Sequence, residues 1–143
     1  MSNRRASGLK TNTVNLGPEL IVNGDFATDT VWNKLGGSTI AGGEGTFNPI
    51  GASYFIQVIF PLTVKTYQVE LDIIYASNNG EIQFAGGNSA FGNQLVYKSV
   101  GINENVHLKF NDTTNGTQSG FQLYSPTSGT LIIDNVSVKE VLP

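Results

Sequence analysis

The sequence contains no cysteine, a single histidine and no long apolar run. Without cysteine, a disulfide framework, thiolate metal sites and cysteine nucleophiles are excluded. The apolar stretches are shorter than the roughly 20 residues that a membrane-spanning helix needs, and the N-terminus lacks the apolar segment of a signal peptide. We therefore expect a protein made in the cytoplasm, without a membrane partner, that reaches the outside of a cell only by a route such as lysis.

Signals of catalysis are scarce as well. The histidine, His107, lies at a polar position of an alternating stretch, which predicts an exposed structural role. Glu70 and Asp72 share a strand face and would have to converge for acid–base catalysis, but such acids on an outer sheet surface are usually solvated. Gly42-Gly43 and Gly86-Gly87 lack the lysine and the following helix of a phosphate-binding loop. The sequence therefore predicts a protein that is not an enzyme.

Charge is sparse and unevenly placed. Three of the eight basic residues, Arg4, Arg5 and Lys10, lie among the first ten residues, which contain no acidic residue. The remainder of the chain therefore contains five basic residues and all 11 acidic ones. An acidic body argues against nucleic-acid binding. The basic tip would suit an acidic partner surface, although three charges also fit a solvated tail.

Both the composition and the periodicity of the sequence are typical of β-structure. Seventeen glycines and many threonines, asparagines and valines favour strands and turns. Alternation is cleanest in residues 64–75, which places Tyr67, Val69, Leu71, Ile73 and Tyr75 on one face. About ten short strands with turn signals between them, and no amphipathic helix, predict a single β-sandwich domain.

The two ends of this pattern are its most informative stretches. Residues 19–26 are typical of a strand that runs into a turn, and residues 129–141 of a long final strand. We expect these two strands to pair and to close the domain. Alternation in the final strand places Asp134 in line with Val136 and Val138, where a carboxylate needs donors, a cation or a place at the core's edge.

The residues at these two ends resemble those of a known family of domains. The opening Leu20-Ile21-Val22-Asn23-Gly24-Asp25-Phe26, with Trp32 soon after, and the closing Ile133-Asp134-Asn135-Val136-Ser137-Val138 resemble jelly-roll domains related to carbohydrate-binding module families 4 and 9. Similar domains, often ending in a close likeness of residues 134–141, occur in structural proteins of tailed bacteriophages. The resemblance spans residues 18–141 and rests on the two ends.

The resemblance implies an all-β fold, a jelly-roll β-sandwich of two antiparallel sheets, over residues 18–143. Residues 1–17 follow neither strand nor helix periodicity, and such a segment alone in water is expected to be disordered. We expect it to be an extended N-terminal arm that anchors the domain to a neighbouring subunit. The residues expected to bind that partner are Arg4, Arg5, Leu9, Lys10, Val14 and Leu16.

Two kinds of ligand site follow from the resemblance. Related domains often hold Ca²⁺ where the first and last strands meet, which makes Asp25 and Asp134 candidate calcium ligands. Calcium takes about six to eight oxygens, however, and Ala27 stands where the family often has an acid. The alternative is that Asp25 caps its turn and Asp134 accepts backbone N–H bonds, so that no cofactor is bound.

Sugar binding requires exposed aromatic rings, because pyranose C–H faces stack on them. Trp32 matches the family's core tryptophan, so we predict that it packs inside. Tyr75 lies on the apolar face of its strand, and we expect its ring to be inside too. From candidates that also include Tyr54 and Tyr97, this leaves Phe91, on a loop rich in glycine and asparagine, and Tyr124 as the predicted carbohydrate contacts.

Two functions are compatible with these observations. The first is a non-enzymatic structural protein in the virion of a tailed bacteriophage, a capsid decoration protein or fibre-like subunit that is anchored by its N-terminal arm. Its expected partners are the major capsid or tail protein and further copies of itself, in a homo-oligomer. The alternative is a carbohydrate-binding module that recognises a host or environmental polysaccharide.

Overall fold

The computed structural model describes residues 14–47, 53–59, 63–76, 81–84, 95–98, 106–114, 116, 120–125 and 129–143. These residues form strands and contain no helix, so no helix in this part of the chain could cross a membrane. The strands are β1 (Leu16–Glu19), β2 (Asn33–Leu35), β3 (Thr39–Ala41), β4 (Glu44–Phe47), β5 (Ser53–Val58), β6 (Thr66–Ala76), β7 (Glu81–Phe84), β8 (Leu95–Lys98), β9 (Val106–Thr113), β10 (Gly120–Ser125) and β11 (Leu131–Val141).

The strands form two antiparallel sheets with the core between them. The six-stranded sheet has the order β3-β4-β11-β6-β9, and β1 also pairs with β11. The five-stranded sheet has the order β2-β5-β10-β7-β8. The alternating residues of β6 and β10, among them Val69, Leu71 and Leu123, are fully buried between the sheets, as the two-residue period of a strand requires. The predicted all-β jelly-roll sandwich is confirmed.

Trp32 stands in an aromatic cluster at one end of the core. Its side chain is only 5% exposed, and its ring stacks on Phe26 at 5.4 Å and meets the edge of Phe55 at 6.0 Å between ring centroids. The indole Nε1 donates a hydrogen bond to the backbone oxygen of Asn23 at 2.9 Å. A buried indole needs such an acceptor. The prediction that Trp32 packs inside is confirmed.

The first and last strands pair, as the sequence predicts, but the first strand lies earlier than predicted. β1 pairs with β11 through Leu16 opposite Val141 and Glu19 opposite Lys139, and the pairing continues where the Leu20 N–H donates to the oxygen of Val138. Leu16, which sequence periodicity places in the arm, therefore lies in the sheet. A short edge strand with glycine and proline is permitted because its N–H groups need not all join a ladder, and such a strand has no alternation to reveal it.

A bulge in β11 turns Asp134 away from the core. The register with β6 shifts between Asp134 and Ser137, and Asn135 between them has a φ of 54°. The extra residue reverses the alternation, so that Ile133 before the bulge and Val136 after it are both buried. Asp134 is half-buried on the outer face of the six-stranded sheet. The prediction that Asp134 shares a face with Val136 is wrong for this reason.

A second irregularity, in β6, corrects the prediction for Tyr75. Tyr75 pairs with Ile132, but Ile73 pairs with the next residue of β11, Ile133, so that Ile74 is the extra residue. Ala76 is therefore buried and Tyr75 is half-buried on the outer face. The alternation that holds for the first half of β6 does not continue through the bulge.

Candidate functional site

The outer face of the five-stranded sheet carries a compact, uncharged set of side chains. The inner residues of β5 and β10 are buried, so the residues between them project outward. Tyr54 is paired with Tyr124 across these strands, and Ile56 with Gln122. On the other side of β5, Asn33 of β2 lies opposite Ile56, and Leu35 lies opposite Tyr54. We call this surface the tyrosine face, which consists of Asn33, Leu35, Tyr54, Ile56, Gln122 and Tyr124.

The two tyrosines stack on each other. Their ring centroids lie 4.6 Å apart with an angle of 21° between the ring planes, and both residues are half-buried. Because they are direct cross-strand partners, the rings stand side by side on the sheet and each covers one face of the other. On the other side of β5, Leu35 of β2 lies opposite Tyr54 in the register of the sheet. The two rings therefore support each other on the outer face of the sheet.

Two amides lie in the row next to the rings. Asn33 and Gln122 flank Ile56 on its two sides, and within the described part of the chain neither side chain has a hydrogen-bond partner. Each amide offers a carbonyl acceptor and two N–H donors. The tyrosine face therefore combines rigid rings, an aliphatic floor and hydrogen-bonding groups that are open to a ligand.

A pocket of about 510 Å³ adjoins the tyrosine face at the β2 edge of the sheet. Two residues, Asn33 and Ile56, belong to both. One wall is fixed by Gln57, whose Nε2 donates to the backbone oxygen of Val22 at 2.7 Å while its Oε1 accepts from the N–H of the same residue at 3.2 Å. We call it the valine pocket, which is lined by Leu20, Val22, Val31, Asn33, Ile56, Gln57, Val58 and Ile59.

The outer face of the six-stranded sheet is polar, and it brings the histidine and two acids together. His107 Nδ1 lies 2.7 Å from an oxygen of Asp72, and its Nε2 lies 2.9 Å from an oxygen of Glu70. These hydrogen bonds raise the pKa of His107 above its ordinary value, and the bond to Asp72 contributes the most. The pKa of Asp72 is lowered by the side-chain amide of Asn135 and then by His107. The exposed position predicted for His107 is confirmed, and its ring bridges two carboxylates on the surface.

This bridge predicts a stability that depends on pH. A histidine whose pKa is raised in the folded state stabilises the fold below its unfolded pKa of about 6.5. That contribution is lost as the pH rises through the folded value. We expect the midpoint of thermal unfolding to fall across this window in the native chain, and to fall less in His107→Gln. An NMR titration is expected to give an imidazole midpoint above 6.5, and Asp72→Asn should lower it. A midpoint that Asp72→Asn leaves unchanged would contradict the bridge.

Asp25 and Asp134, the predicted calcium ligands, lie near enough for their charges to interact. Burial first, and then the charges of Asp25 and Asp72, raise the pKa of Asp134. Asp25 accepts the N–H of Ala27 at 3.2 Å, and Asp134 accepts the N–H of Asn135 at 2.8 Å. No group of three or more histidine, cysteine or acidic side chains among the described residues could hold a metal ion. Calcium binding stays a prediction.

No family model matches the sequence, and no curated protein does. Among solved structures, a domain described as the enzymatically active domain of tailspike protein 4 of bacteriophage CBA120 matches 86% of this chain with a TM-score of 0.55 at 16% sequence identity. A structure of a family 4 carbohydrate-binding module, CBM4, matches 77% of this chain and 94% of its own with a TM-score of 0.51 at 12% identity.

The chain has a carbohydrate-binding-module-like jelly-roll fold. This likeness confirms the resemblance inferred from the two ends of the sequence. At identities of 16% and 12% it shows the fold alone, and this chain corresponds to 21% of the length of the tailspike chain. Which surface of the fold binds a ligand must therefore be argued from the residues of this chain.

The structure brings one of the two predicted sugar contacts to the tyrosine face. Tyr124 lies there, stacked on Tyr54, whereas Phe91 lies outside the described residues. Sequence reasoning considered Tyr54 but did not select it. The signal was the alternation of Tyr54, Ile56 and Val58 with Phe55 and Gln57. Because both sets contain apolar residues, this alternation could not show which set is outside.

The predicted partner-binding residues fall mostly outside the described part of the chain. Arg4, Arg5, Leu9 and Lys10 lie there. Val14 is exposed immediately before β1, and Leu16 is half-buried within it. Of the six residues, Val14 is thus the one whose exposed side chain the structure describes. Attachment to another subunit through the arm stays a prediction.

Proposed function

We propose that the protein is a non-catalytic carbohydrate-binding module whose tyrosine face binds a neutral polysaccharide. The observation that carries the proposal is the stacked pair Tyr54–Tyr124 beside the side-chain amides of Asn33 and Gln122, which have no hydrogen-bond partner among the described residues. Aromatic rings bury the C–H faces of a pyranose, and amides exchange hydrogen bonds with its hydroxyl groups. Apolar surface with a few convergent polar groups is the usual composition of a small-molecule site.

The absence of charge on the tyrosine face supports a neutral ligand. Its six residues include no acidic residue, lysine, arginine or histidine, and the His107–Asp72–Glu70 bridge lies on the outer face of the other sheet. A carboxylated sugar would lose its hydration at the tyrosine face without gaining a cationic partner. The net charge of −3 also disfavours an anionic chain.

The tyrosine face is organised before a ligand arrives. The tyrosine rings support each other, and they rest on strands whose inner residues, including Phe55 and Phe121, are fully buried. A side chain that is already fixed loses little conformational entropy on binding. Affinity then depends on the rings and amides rather than on a rearrangement of the sheet.

The test is binding to soluble polysaccharides, measured by affinity electrophoresis and calorimetry. The panel is hydroxyethylcellulose, glucomannan, xylan and dextran, with alginate as the anionic control. We expect binding to a neutral member, and we expect Tyr54→Ala and Tyr124→Ala each to weaken it about threefold to tenfold, as the loss of one ring contact does. The matched control is Tyr75→Ala, which removes a half-buried tyrosine from the outer face of the other sheet. Equal losses in all three variants, or binding to alginate alone, would contradict the proposal.

A second candidate is a structural role in the virion of a tailed bacteriophage, as a capsid decoration protein or fibre-like subunit. The likeness to a domain of a bacteriophage tailspike favours it, and so does the phage-like ending of residues 134–141. In this role the arm would attach the domain to the major capsid or tail protein, and copies would form a homo-oligomer. Glycan binding and a place in the virion are compatible.

The test of the virion role is a truncation that removes residues 1–13 and keeps β1 intact. The Leu142 N–H donates to the oxygen of Asn15, so a chain that begins at Val14 retains the pairing of β1 with β11. We expect this truncated chain to keep its unfolding midpoint and to lose its place in purified particles, as measured by quantitative mass spectrometry. Undiminished incorporation would refute anchoring by the arm.

A further inference from the structure

The side chains that line the valine pocket offer a ligand few hydrogen bonds. Both heteroatoms of the Gln57 amide are bonded to the backbone of Val22. Within the described part of the chain, the one side-chain amide left open in the lining is that of Asn33. The other lining residues are aliphatic and none is charged. A sugar hydroxyl placed against these walls would lose its hydrogen bonds to water.

Three valines at the pocket are nevertheless exposed to water. Val58 is 76% exposed, Val22 59% and Val31 55%. Val31 also has a φ of 75°, in a region that disfavours β-branched residues. Its backbone conformation is strained, and its side chain gains little from burial in return. Single exposed aliphatic residues are ordinary, but three at one pocket form a surface that gains from being covered.

The size and charge of the pocket match a small neutral ligand. Its volume of about 510 Å³ lies in the range of about 300–1,000 Å³ that is usual for small-molecule sites. A stable protein interface uses roughly 20–30 residues on each side, far more than line this pocket. Because the pocket shares Asn33 and Ile56 with the tyrosine face, a chain bound there would place a neighbouring sugar at the pocket.

We propose that the valine pocket binds the methyl group of a modified sugar, either a 6-deoxyhexose or an O-acetylated hexose, within a polysaccharide that lies across the tyrosine face. This inference rests on the proposed function and names the class of its substrate. The methyl group packs against Val22, Val31 and Val58, and Asn33 bonds to a hydroxyl of the same ring. Transfer out of water favours burial of a methyl group against these valine side chains, whereas the hydroxymethyl group of a plain hexose would place a hydroxyl against side chains that cannot form a hydrogen bond with it.

The test is an NMR titration of the full chain, labelled at its valine methyl groups and backbone amides, with three matched sugars. They are cellobiose, its 6′-deoxy analogue and its 6′-O-acetyl derivative, each of which has two rings to span the tyrosine face and the valine pocket. We expect a methyl-bearing sugar to shift the signals of Val22, Val31 and Val58 and to bind at least about fourfold more tightly than the parent, as burial of one methyl group predicts. The 6-deoxy and 6-O-acetyl arms distinguish the two sources of the methyl group.

Two variants separate this inference from the proposed function. Val58→Ser changes a residue whose side chain is mostly in water, so the fold should persist, and we expect it to abolish the preference for the methyl-bearing sugar. Tyr54→Ala is expected to weaken all three sugars equally. Equal affinity for the three sugars in the native chain would overturn the inference and leave the proposed function standing.

Other outcomes of the NMR titration also bear on the inference and on the proposed function. Shifts at the valines with none at the tyrosine face would support the pocket and contradict the proposed function. Shifts of the same valine signals on raising the protein concentration without sugar would overturn the inference, because a second copy of the chain would then be the occupant. No shift with any of the three sugars would overturn it as well.

Discussion

Replacing Trp32 with alanine is expected to lower the free energy of unfolding by about 3–5 kcal/mol, the range for large-to-small changes of aromatic core residues. The indole is almost fully buried, stacks on Phe26 and contacts Phe55. Its removal would leave a cavity beside the rings of Phe26, on the segment between β1 and β2, and Phe55, on the five-stranded sheet. It would also leave the backbone oxygen of Asn23 without its donor. Denaturation by urea, followed by circular dichroism, measures the change.

Two further variants give this prediction its controls. Trp32→Phe retains a ring for Phe26 but removes the Nε1 donor to Asn23, so we expect a loss between those of the alanine variant and the native chain. Leu35→Ala removes an exposed aliphatic side chain close by in sequence, and its effect on stability should be small. If Trp32→Ala were as stable as the native chain and lost only its affinity for polysaccharide, Trp32 would be a ligand platform and its assignment to the core would be wrong.

Replacing Gly24 with alanine is expected to cost about 2–4 kcal/mol, which combines overpacking with the loss of a hydrogen bond. An added Cβ would lie 2.1 Å from the backbone oxygen of Val136. A backbone atom cannot rotate out of the way as the end of a side chain can. The segment would have to move off β11, and the bond from the Val136 N–H to the Gly24 oxygen, 2.9 Å long, would break.

Gly17→Ala is the matched control for Gly24→Ala. A Cβ at Gly17 would meet its nearest atom, Cβ of Glu140, at 3.6 Å, which is an ordinary van der Waals contact. Both glycines lie beside β11, so the pair differs mainly in the space available. We expect Gly17→Ala to be neutral or slightly stabilising, because alanine restricts the unfolded chain. Similar losses in both variants would show that the close approach of Gly24 to Val136 is not what limits this site.

These two predictions bear on function because the segment between β1 and β2 forms a wall of the valine pocket. Val22 and Val31 lie on that segment, and Trp32 and Gly24 attach it to the core and to β11. A variant that loosens the segment should lose selectivity for a methyl-bearing sugar before it loses the fold. The residues of the tyrosine face that lie on β5 and β10 should be less affected.

The fold class, the central strands of the core and the closure of the domain by its two ends could be predicted from the amino-acid sequence. The alternation in β6 correctly predicts that Val69 and Leu71 are buried. Wherever the ladder is regular, every second side chain of a strand lies on the same face. Trp32, which the family resemblance predicts to pack inside, is buried as well. For these features, the positions of apolar residues in the sequence agree with the buried positions in the structure, since burial of apolar surface is the main driving force of folding.

The residues that lie on the two outer faces could not be predicted, because they depend on strand register and on bulges. The bulges at Asn135 and Ile74 moved Asp134 and Tyr75 outward, and an extra residue in a strand leaves no mark in its composition. The stacking of Tyr54 on Tyr124 depends on the register between β5 and β10, two strands far apart in the chain. Alternation fixes which residues of one strand share a face, but it does not fix which face is inside or which residues of another strand lie opposite, because those follow from long-range pairing.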